Sequence, residues 1–595
     1  MNDIRPILYG VSDYAQIRKK NAWFVDRTAK LRDLEKVAYA VFLRPRRFGK
    51  SLLCSILEAY YDIDCARRFD ELFGGTDIGA NPTEERNKYL MLRFDFSSVD
   101  KNLGRVQSDF DYKVSVQCDF FARKYRARLH DGVSERILAA PDGGKKLSEI
   151  MTGLRESGLE LYIIVDEYDN FTNTILAESG LSAYNDLCHG DGFFKQFFTE
   201  LKALTTSLDA PLKRLFITGV SPVTMDDVTS GFNIGTNISL DPQFADMTGF
   251  RHDDLHGLVR YYAPRCGFDA DKAGQVCLEW FDNYRFGNSA APPMANTTLV
   301  LNFFDKIVRA GTWPDNYIDE NLRTDYAKIR HLVTMDRRLN GNFHVLENLL
   351  AGGSLEEPLV KSFQAMELSK KENFASLLYW LGITTVTGSD FELTRFGLPN
   401  ETLKHLAAKM IPDAYSDIYK IDERMFDINK GLVAFARRGE WRGFVDILAG
   451  IVKENFAVRD TVEGEKVVQS TLVALLTAAK GPYLVRHEGE AGGGFYDIAL
   501  EPQLSRWPEI AHAALIEMKY VKAGDPAPTP DQLANIKAKA IDQLDRYSAD
   551  PALAATVKPS NCQTVKPAVE CDGPVALHRL ALVFHGSDCL LAEEV

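Results

Sequence analysis

Short apolar runs alternate with helical patterns over the first 250 residues of the chain. Continuous apolar runs of this length are typical of strands that are covered on both faces. Between them, apolar positions recur at helical spacing, as in LLCSILEAYYD at 52–62. This order predicts an α/β fold with a parallel sheet and crossover helices. The four predicted strands are YAVFLR at 39–44, YLMLRFDF at 89–96, LELYIIVDEYD at 159–169 and LKRLFITGV at 212–220.

A mainly helical stretch follows, from 251 to 455, and it contains one alternating segment. Residues 383–397, ITTVTGSDFELTRFG, predict a β-hairpin that turns at 388–390. A helix followed by a hairpin is typical either of a winged-helix DNA-binding element or of a wing that packs between domains, and we favour the packing wing. Three nearby aromatic side chains are expected to be buried, namely Trp380, Phe391 and Phe396.

Strands and helices alternate again near the C-terminus. A helical segment, EKVVQSTLVALLTAAK, precedes two strand-like segments, GGGFYDIALEP and AHAALIEMKYVKAG, and a later helix contains AKAIDQLDRY. The pattern predicts a second, small α/β domain. The chain is therefore expected to have three parts, at 1–250, 251–455 and 456–595, with the middle part serving as a helical lid and connector.

The amino-acid composition and the N-terminal sequence indicate where in the cell the chain is located and which partners it can bind. The 595 residues are 45% hydrophobic and 26% charged, and no apolar stretch approaches the about 18 residues that a membrane span needs. The N-terminus lacks the basic and apolar regions of a secretory signal, so the cytoplasm is the predicted location, with no membrane partner. The nine cysteines include no CxxC pair, so neither a zinc site nor a disulfide framework is indicated.

The net charge of −13 argues against general coating of nucleic acid, because nonspecific DNA affinity comes largely from Lys and Arg. Contacts to nucleic acid must then be local. The basic segment FARKYRARLH, at 121–130, is the clearest concentration of charge, together with Arg46 and Arg47. We interpret 121–130 as a solvated helix face in preference to a nucleic-acid contact.

The segment RPRRFGKS, at 44–51, lies between the first predicted strand and a helix. It matches the phosphate-binding pattern GxxxxGK[ST], except that Arg44 stands at the position of the first glycine. Backbone N–H groups after Gly49 would hold phosphates, Lys50 would reach the β and γ phosphates, and the Ser51 hydroxyl would bind Mg²⁺. Arg44, Arg46 and Arg47 add positive charge that phosphates can use, so the loop is predicted to bind ATP.

A pair of carboxylates, Asp166 and Glu167, ends the third predicted strand. The first can hold the Mg²⁺ shell, and the second can polarise a water for attack on the γ-phosphate. Thr218 and Ser221, at the end of the fourth strand, are candidate sensors of that phosphate. A GK[ST] motif and an apolar strand that ends in two acids each occur by chance, but the two in this order favour nucleotide binding.

Two acids and a lysine lie on the predicted strands near the C-terminus. Glu517 and Lys519 are two apart in one strand and project to the same side, and the adjacent strand can bring Asp497 beside them. Two carboxylates can hold a divalent metal while the lysine orients or deprotonates a water, as phosphodiester hydrolysis requires. Gln543 and Tyr547 lie at i and i+4 on one face of the later helix and are predicted to position nucleic acid.

Five segments closely resemble the bacterial AAA-ATPase-like family whose members carry a C-terminal PD-(D/E)XK nuclease domain. In that family the loop usually has the form RPRRFGK[ST], so Arg44 follows the family pattern. The resemblance implies a P-loop NTPase sheet in which Lys50, Ser51, Asp166 and Glu167 form the ATP site. The five segments are YGVSDYAQIRKKNAWFVDRTAKLRDL, FLRPRRFGKSL, YIIVDEYDNF, FITGVSPVTM and WFDNYRFG.

The acids, lysine and QxxxY of the last part resemble the PD-(D/E)XK nucleases. This resemblance implies that Glu465 is the acid of the first helix and joins Asp497 and Glu517 at a site for Mg²⁺, with Mn²⁺ as the alternative ion. Two features depart from that family. Phe495 stands where relatives usually carry a basic residue, and 18 acidic residues outnumber 12 basic ones between 461 and 595. These departures bear on substrate affinity more than on metal binding.

The leading hypothesis is an ATP-controlled, metal-dependent nuclease that acts on nucleic acid, with DNA as the expected substrate. The resemblance alone implies a role in defence against foreign nucleic acid. The alternative is an ATP-driven switch or scaffold whose nuclease-like domain is inactive and only binds nucleic acid or a protein. The sequence leaves open the strandedness of the substrate, the choice between DNA and RNA, and self-association into a homo-oligomer.

Overall fold

The computed structural model describes residues 4–595 except 207–208, 229–233, 312, 315, 319–348, 350–353, 369, 417–420, 457–464, 480, 505–506, 508 and 554–574. The chain forms two compact units. The first comprises 1–340 and 356–400, and the second comprises 341–355 and 401–595. The three-part division at 250 and 455 stays a prediction.

A five-stranded parallel sheet forms the centre of the first unit. Its strands are β1 (Tyr39–Leu43), β2 (Leu90–Asp95), β3 (Leu161–Asp166), β4 (Leu212–Gly219) and β5 (Thr236–Asn237). The strand order is β2-β3-β4-β1-β5, and every neighbouring pair is parallel. The four predicted strands are thus confirmed, and parallel pairing brings their carboxyl ends to one edge of the sheet.

Helices pack on this sheet through apolar and aromatic side chains. Leu57 and Tyr60 form one core cluster with Phe42, Ile164 and Phe216 of the strands. Among the described residues, the helices of the unit are α1 (Tyr14–Lys19), α2 (Leu31–Leu34), α3 (Lys50–Tyr61), α4 (Phe69–Phe73), α5 (Asp77–Ala80), α6 (Val106–Lys124), α7 (Val133–Ala139), α8 (Gly143–Ser157), α9 (Asn170–Cys188), α10 (Phe193–Ala203), α11 (Val223–Val228), α12 (His252–Cys266), α13 (Ala270–Trp280), α14 (Thr297–Ala310) and α15 (Lys371–Trp380).

The predicted hairpin forms, but its turn lies further along the chain. A small sheet has the order β6-β8-β7, with β6 at Leu355–Glu357, β7 at Thr385–Asp390 and β8 at Leu393–Gly397. Because Asp390 pairs with Leu393, the turn falls at 391–392 and not at 388–390. Trp380 and Phe396 are buried as expected, whereas Phe391 at the turn is fully exposed, so its prediction as a core residue is wrong.

Three of the four Lys and Arg side chains in the basic segment 121–130 form ion pairs within the first unit. Helix α6 ends at Lys124, which donates to Asp62 at 2.5 Å. Beyond the helix, Arg126 pairs with Glu135 and Arg128 with Asp64, both at the surface. These ion pairs support the interpretation of a solvated face over that of a nucleic-acid contact.

The second unit contains a mixed five-stranded sheet with a core cluster on each face. Ile516 belongs to one cluster and Leu515 to the other, as expected for adjacent strand residues. The elements are α16 (Glu401–Ser416), α17 (Ile421–Arg438), α18 (Arg442–Phe456), α19 (Glu465–Ala478), β9 (Tyr483–Ala491), β10 (Gly494–Pro502), β11 (His512–Val521), α20 (Pro530–Ser548), β12 (Ala576–His585) and β13 (Asp588–Glu594). The sheet order is β13-β12-β11-β10-β9, in which only β11 and β12 pair in parallel.

The expected fold class, an α/β chain with a parallel sheet followed by a separate small α/β domain, is confirmed. Among the described residues, no helix is both long and apolar enough to cross a membrane.

Candidate nucleotide and nuclease sites

The phosphate-binding loop occupies residues 44–49, between the end of β1 and the start of α3. Gly49 is the N-cap of α3 and has a φ of 89°, in the left-handed region where a residue with a Cβ is strained. The first N–H groups of α3 have no partners within the helix and can bind phosphate oxygens. Glycine therefore stands where this strand-to-helix turn requires it.

Lys50 and Glu167 come together although they belong to separate motifs. The Lys50 ammonium donates to the carbonyl oxygens of Arg44, at 3.2 Å, and Pro45, at 3.3 Å, and lies 3.6 Å from Glu167 Oε1. Burial acts to raise the pKa of Glu167, but the cations of Lys50 and Arg46 outweigh it and hold that pKa below its usual value. Glu167 is thus kept ionised beside the loop. Its backbone has a φ of 52°, in the left-handed region that is uncommon for residues other than glycine.

Asp166 is fully buried at the end of β3. Arg93, on the neighbouring β2, donates to Asp166 Oδ2 at 2.8 Å and to Glu58 Oε2 at 2.8 Å. Burial raises the pKa of Asp166, although Arg93 opposes this effect. Within the described part of the chain, Asp166 Oδ1 is buried with no hydrogen-bond partner. A carboxylate oxygen in this position fits Mg²⁺, which takes oxygen ligands.

Arg93 was missed at the sequence level. A single cation inside the apolar segment YLMLRFDF was the available signal, because charged residues are rarely buried without a partner.

Arg44 does not have the predicted role in phosphate binding. Its guanidinium is fully buried and donates to three backbone carbonyl oxygens at 2.7 to 2.8 Å, two of them in the segment 239–244. The group also lies over the rings of Phe42 and Phe286, at 4.3 and 4.2 Å. Burial lowers its pKa to about 9. Because these contacts occupy the guanidinium, Arg44 anchors the loop to the fold instead of contacting ATP.

Thr218 and Ser221 have different surroundings. The Thr218 hydroxyl is fully buried and donates to the carbonyl oxygen of Phe42 at 2.7 Å. A hydroxyl has one proton, so this bond between β4 and β1 leaves none for a γ-phosphate in this conformation, and the role of Thr218 as a sensor stays a prediction. Ser221 is also buried, and its contact with phosphate stays a prediction.

Asp169 is a structural residue of the site that was missed at the sequence level. Its fully buried carboxylate accepts the N–H groups of Val220, at 3.1 Å, and Ser221, at 2.8 Å. Burial raises its pKa, and the charge of Glu167 adds to the shift. Asp169 thereby fixes the turn after β4 against the turn after β3. A third acid shortly after the carboxylate pair, in the segment DEYD, was the available signal.

Arg46 and Arg47 are partly exposed on the loop. Arg47 has a φ of 71°, and its carbonyl oxygen accepts the N–H of Thr298 at 3.2 Å and the hydroxyl of Thr298 at 3.0 Å. The first turn of α14 is thus attached to the loop. Phosphate binding by Arg46 and Arg47 stays a prediction.

An apolar cavity of about 100 Å³ lies beside the loop. Its walls come from the N-terminal segment, from α3 and from α14, and they include Trp23, Phe24, Phe250 and Leu301 together with Gly49. An apolar pocket next to a phosphate loop has the chemistry to take a nucleobase. The sequence did not reveal it, because its walls are far apart along the chain.

Asp497 lies on β10, beside β11. Its Oδ2 accepts the N–H of Met518 at 2.6 Å, and its Oδ1 accepts the side-chain amide of Gln469 at 3.3 Å. Burial raises the pKa of Asp497 to about 7, and the charge of Glu517 contributes to this shift. The two strands thus bring Asp497 and Glu517 together, as the pattern predicts.

Glu517 and Lys519 project from β11 and pair directly. Lys519 Nζ donates to Glu517 Oε1 at 2.6 Å. In the part of the chain that the structure describes, Glu517 Oε2 is buried without a partner, and burial raises the pKa of this carboxyl in spite of Lys519. Two neighbouring carboxylates with raised pKa values and one unpaired oxygen fit a divalent cation, which would offset their repulsion.

Glu465 does not join these acids as the resemblance implies. It is the exposed first residue of α19, and its charge contributes to the raised pKa values of Asp497 and Glu517. Among the described residues, however, no three His, Cys, Asp or Glu side chains form a group that could hold a metal ion. In the described part of the chain, the predicted set of three carboxylates is therefore not formed. Gln469, one turn later, is the residue of α19 that contacts Asp497.

Gln543 and Tyr547 lie one turn apart on α20, and Gln543 Nε2 donates to the Tyr547 hydroxyl at 3.1 Å. Tyr547 is buried in a core cluster with Leu515 and Leu544. A buried ring cannot stack on a base, so any role of Tyr547 in positioning nucleic acid would be indirect, and it stays a prediction. The role of Gln543, which is half-buried, stays a prediction.

Comparison with known proteins identifies both ends of the chain. Residues 8–229 match the family model described as "Predicted AAA-ATPase", and residues 463–573 match the model of the PD-(D/E)XK nuclease superfamily. An Azotobacter chroococcum mcd 1 protein, named "Uncharacterized protein in vnfD 5'region", is 22% identical over 295 residues. That match covers 47% of this chain and 49% of the relative, so the chain spans about half the length of the curated relative it matches. The chain therefore carries an AAA-ATPase-like domain in its N-terminal part and a PD-(D/E)XK nuclease superfamily domain in its C-terminal part.

Proposed function

We propose that this chain binds and hydrolyses ATP in its first unit and thereby controls a metal-dependent phosphodiesterase in its second unit, with DNA as the substrate. The main support is the meeting of Lys50 and Glu167, at 3.6 Å, at the carboxyl edge of a parallel sheet. A loop lysine and an ionised carboxylate in this position are the groups that ATP hydrolysis uses.

In the first unit, the N–H groups at the start of α3 would bind phosphate oxygens. Lys50 would exchange two loop carbonyls for the β and γ phosphates, and Glu167 would take the proton of the attacking water. Ser51 and Asp166 are the residues that would hold Mg²⁺, which neutralises phosphate charge when bound. The apolar cavity lined by Trp23 would take the base.

In the second unit, Asp497 and Glu517 would hold Mg²⁺ or Mn²⁺, which polarises the scissile phosphate when bound. Lys519, already beside Glu517 at 2.6 Å, is placed to orient the attacking water. A role in defence against foreign nucleic acid is part of this proposal.

A second candidate is an ATP-driven switch or scaffold with an inactive nuclease fold. Three observations favour it. No three acidic side chains among the described residues form a metal-binding group, Glu517 already pairs with Lys519, and acids outnumber bases by 18 to 12 between 461 and 595. Excess negative charge opposes the binding of a phosphate backbone.

A cleavage assay separates the two functions. The purified chain is incubated with single-stranded DNA, duplex DNA or RNA, with Mg²⁺, Mn²⁺ or Ca²⁺, and with or without ATP. We expect cleavage of DNA with Mg²⁺ or Mn²⁺ and little with Ca²⁺, because the larger ion positions water less well. If no substrate is cut while ATP is still hydrolysed, the scaffold is the better description.

A further inference from the structure

Helix α6 carries an apolar stripe on its outward face. Tyr112, Val116 and Phe120 follow one another at i, i+4 and i+8, and they are 65%, 40% and 61% exposed. The inward face is formed by other residues, including Phe110 and Cys118, and is fully used in packing. The stripe is therefore not needed by the fold of the unit, and a row of exposed apolar side chains marks an interaction surface.

Two opposite charges are placed symmetrically about the centre of the stripe. Asp109 lies seven residues before Val116 and Arg123 seven residues after it. Seven residues are about 20° short of two helical turns, so both side chains leave the helix close to the direction of Val116. The helix thus presents an acid, an apolar centre and a base along one line.

This arrangement is complementary to itself in one orientation only. In an antiparallel pair centred on Val116, Asp109 of each copy faces Arg123 of the other. On one flank Lys113 comes to the ring of Phe120. On the other flank the Tyr112 hydroxyl comes to Asp119, whose Oδ1 also accepts from Lys146 of its own copy at 2.5 Å. Both are favourable contacts. A parallel pair would set Asp109 against Asp109 and Arg123 against Arg123.

We propose that α6 docks on the α6 of a second copy of this chain, antiparallel, across a two-fold axis at Val116. Such an interface uses the same patch on both copies and is closed, so it gives a dimer and not a filament. The local contacts of the charges agree with this role. Asp109 accepts the N–H of Asp100 at 2.8 Å and also pairs with Lys113 of its own helix at 3.7 Å, whereas Arg123 is exposed and forms no ion pair with the residues that the structure describes.

The contact is expected to be weak and reversible. A single pair of helices of this length buries roughly 400 Å² per copy, which is about half of what a stable interface of standard size buries. We therefore expect dimers at protein concentrations on the order of 10 to 100 μM.

Sedimentation velocity over about 5 to 200 μM protein tests the proposal. The wild-type chain should shift from monomer to dimer, and Val116→Glu should remain monomeric over the whole range. The matched control is Gln107→Glu, because Gln107 is exposed on the same helix but points about 180° away from Val116. Unchanged thermal melting of both variants would show that the fold is kept. A wild type that stays monomeric, or a Val116→Glu variant that still dimerises, would overturn the proposal.

Disulfide cross-linking tests the orientation. Val116→Cys lies on the two-fold axis and should link two copies, whereas Arg123→Cys should not, because its two copies would be about 20 Å apart and a disulfide needs Cα atoms within about 7 Å. The wild type measures the background from the native cysteines. Linkage through both variants would show a parallel pair, and a Val116→Cys variant that does not link would remove Val116 from the interface, so either result would contradict the proposal.

Discussion

Neighbouring arginines in the loop have different surroundings. Arg44 is fully buried against backbone carbonyl oxygens, whereas Arg46 is partly exposed and its charge lowers the pKa of Glu167. Two positions that a sequence pattern treats alike therefore have different physical roles. Arg44 stabilises the fold, and Arg46 contributes positive charge to the site.

Replacing Arg44 by Met should destabilise the first unit. The change leaves at least two buried carbonyl oxygens without donors, at a cost of about 3 kcal/mol in the free energy of unfolding. Arg46→Met should leave the unfolding free energy nearly unchanged and weaken ATP binding instead. Urea unfolding and ATP titration of both variants measure the two effects. Equal stability of the two variants would show that the carbonyl contacts of Arg44 are not important for the fold.

Lys50→Ala should abolish ATP binding. The ammonium is the group of the loop that can reach the terminal phosphates as a point charge, and alanine removes it without touching the backbone of Gly49. Titration with a fluorescent ATP analogue measures the loss. Affinity equal to that of the wild type would remove Lys50 from the nucleotide site.

Glu167→Gln should separate ATP binding from hydrolysis. The amide keeps the shape of the side chain but cannot accept the proton of the attacking water, so turnover should fall by roughly 100-fold or more while ATP still binds. A phosphate-release assay measures turnover, and the titration used for Lys50→Ala serves as the control. Unchanged turnover would mean that Glu167 has no part in ATP hydrolysis and is only the residue that follows β3.

At the scale of elements, the candidate nuclease site depends on how two strands pair. Asp497 on β10 accepts the backbone N–H of Met518 on β11, so one carboxylate both joins the strands and faces the acid of the neighbouring strand. The stability of the strand pair and the chemistry of the site therefore use the same side chain. A suitable pair of substitutions can separate them.

Asp497→Asn should eliminate cleavage and keep the fold, because the amide oxygen can still accept the Met518 N–H but the negative charge is lost. Asp497→Ala should eliminate cleavage and also cost about 1 to 3 kcal/mol in stability, since the buried N–H loses its acceptor. Neither variant should change ATP turnover. A plasmid nuclease assay, urea unfolding and phosphate release measure the three quantities. Cleavage at the wild-type rate by Asp497→Asn would place the activity elsewhere.

At the scale of the whole molecule, an ATPase-like unit and a nuclease-like unit share one chain. A ligand can shift an equilibrium between two arrangements only by its different affinity for them. Control of the nuclease therefore requires that ATP bind one arrangement of the chain more tightly. We expect ATP to favour the arrangement that cuts.

Cleavage by the two ATP-site variants tests this control. In the presence of ATP, Glu167→Gln should cut at least as well as the wild type because it holds ATP, whereas Lys50→Ala should stay at the resting level. A typical coupling gives a difference of roughly 5 to 150-fold, which a plasmid assay resolves. Equal cleavage by all three proteins would show independent units. If Lys50→Ala were the most active, ATP would restrain the nuclease.

The sequence by itself determined the strands of the parallel sheet and the places of several candidate residues along them. The four apolar runs became the first four strands of the parallel sheet, and Gly49, Lys50, Asp166 and Glu167 lie where strand ends and a helix start place them. These features are local, because strand burial, helix spacing and the φ of a glycine depend on residues close together in the chain.

Only the tertiary structure decided which of the polar side chains are available. Arg44 and Thr218 donate to carbonyl oxygens of distant segments, and Tyr547 is buried in a core cluster. Arg93 and Asp169, in contrast, belong to the site because they hydrogen-bond to groups on other strands and turns. The physical reason is that hydrogen bonding and burial are set by contacts between segments far apart in sequence. A motif gives the type and order of its residues, and the three-dimensional packing decides which of them can reach a ligand.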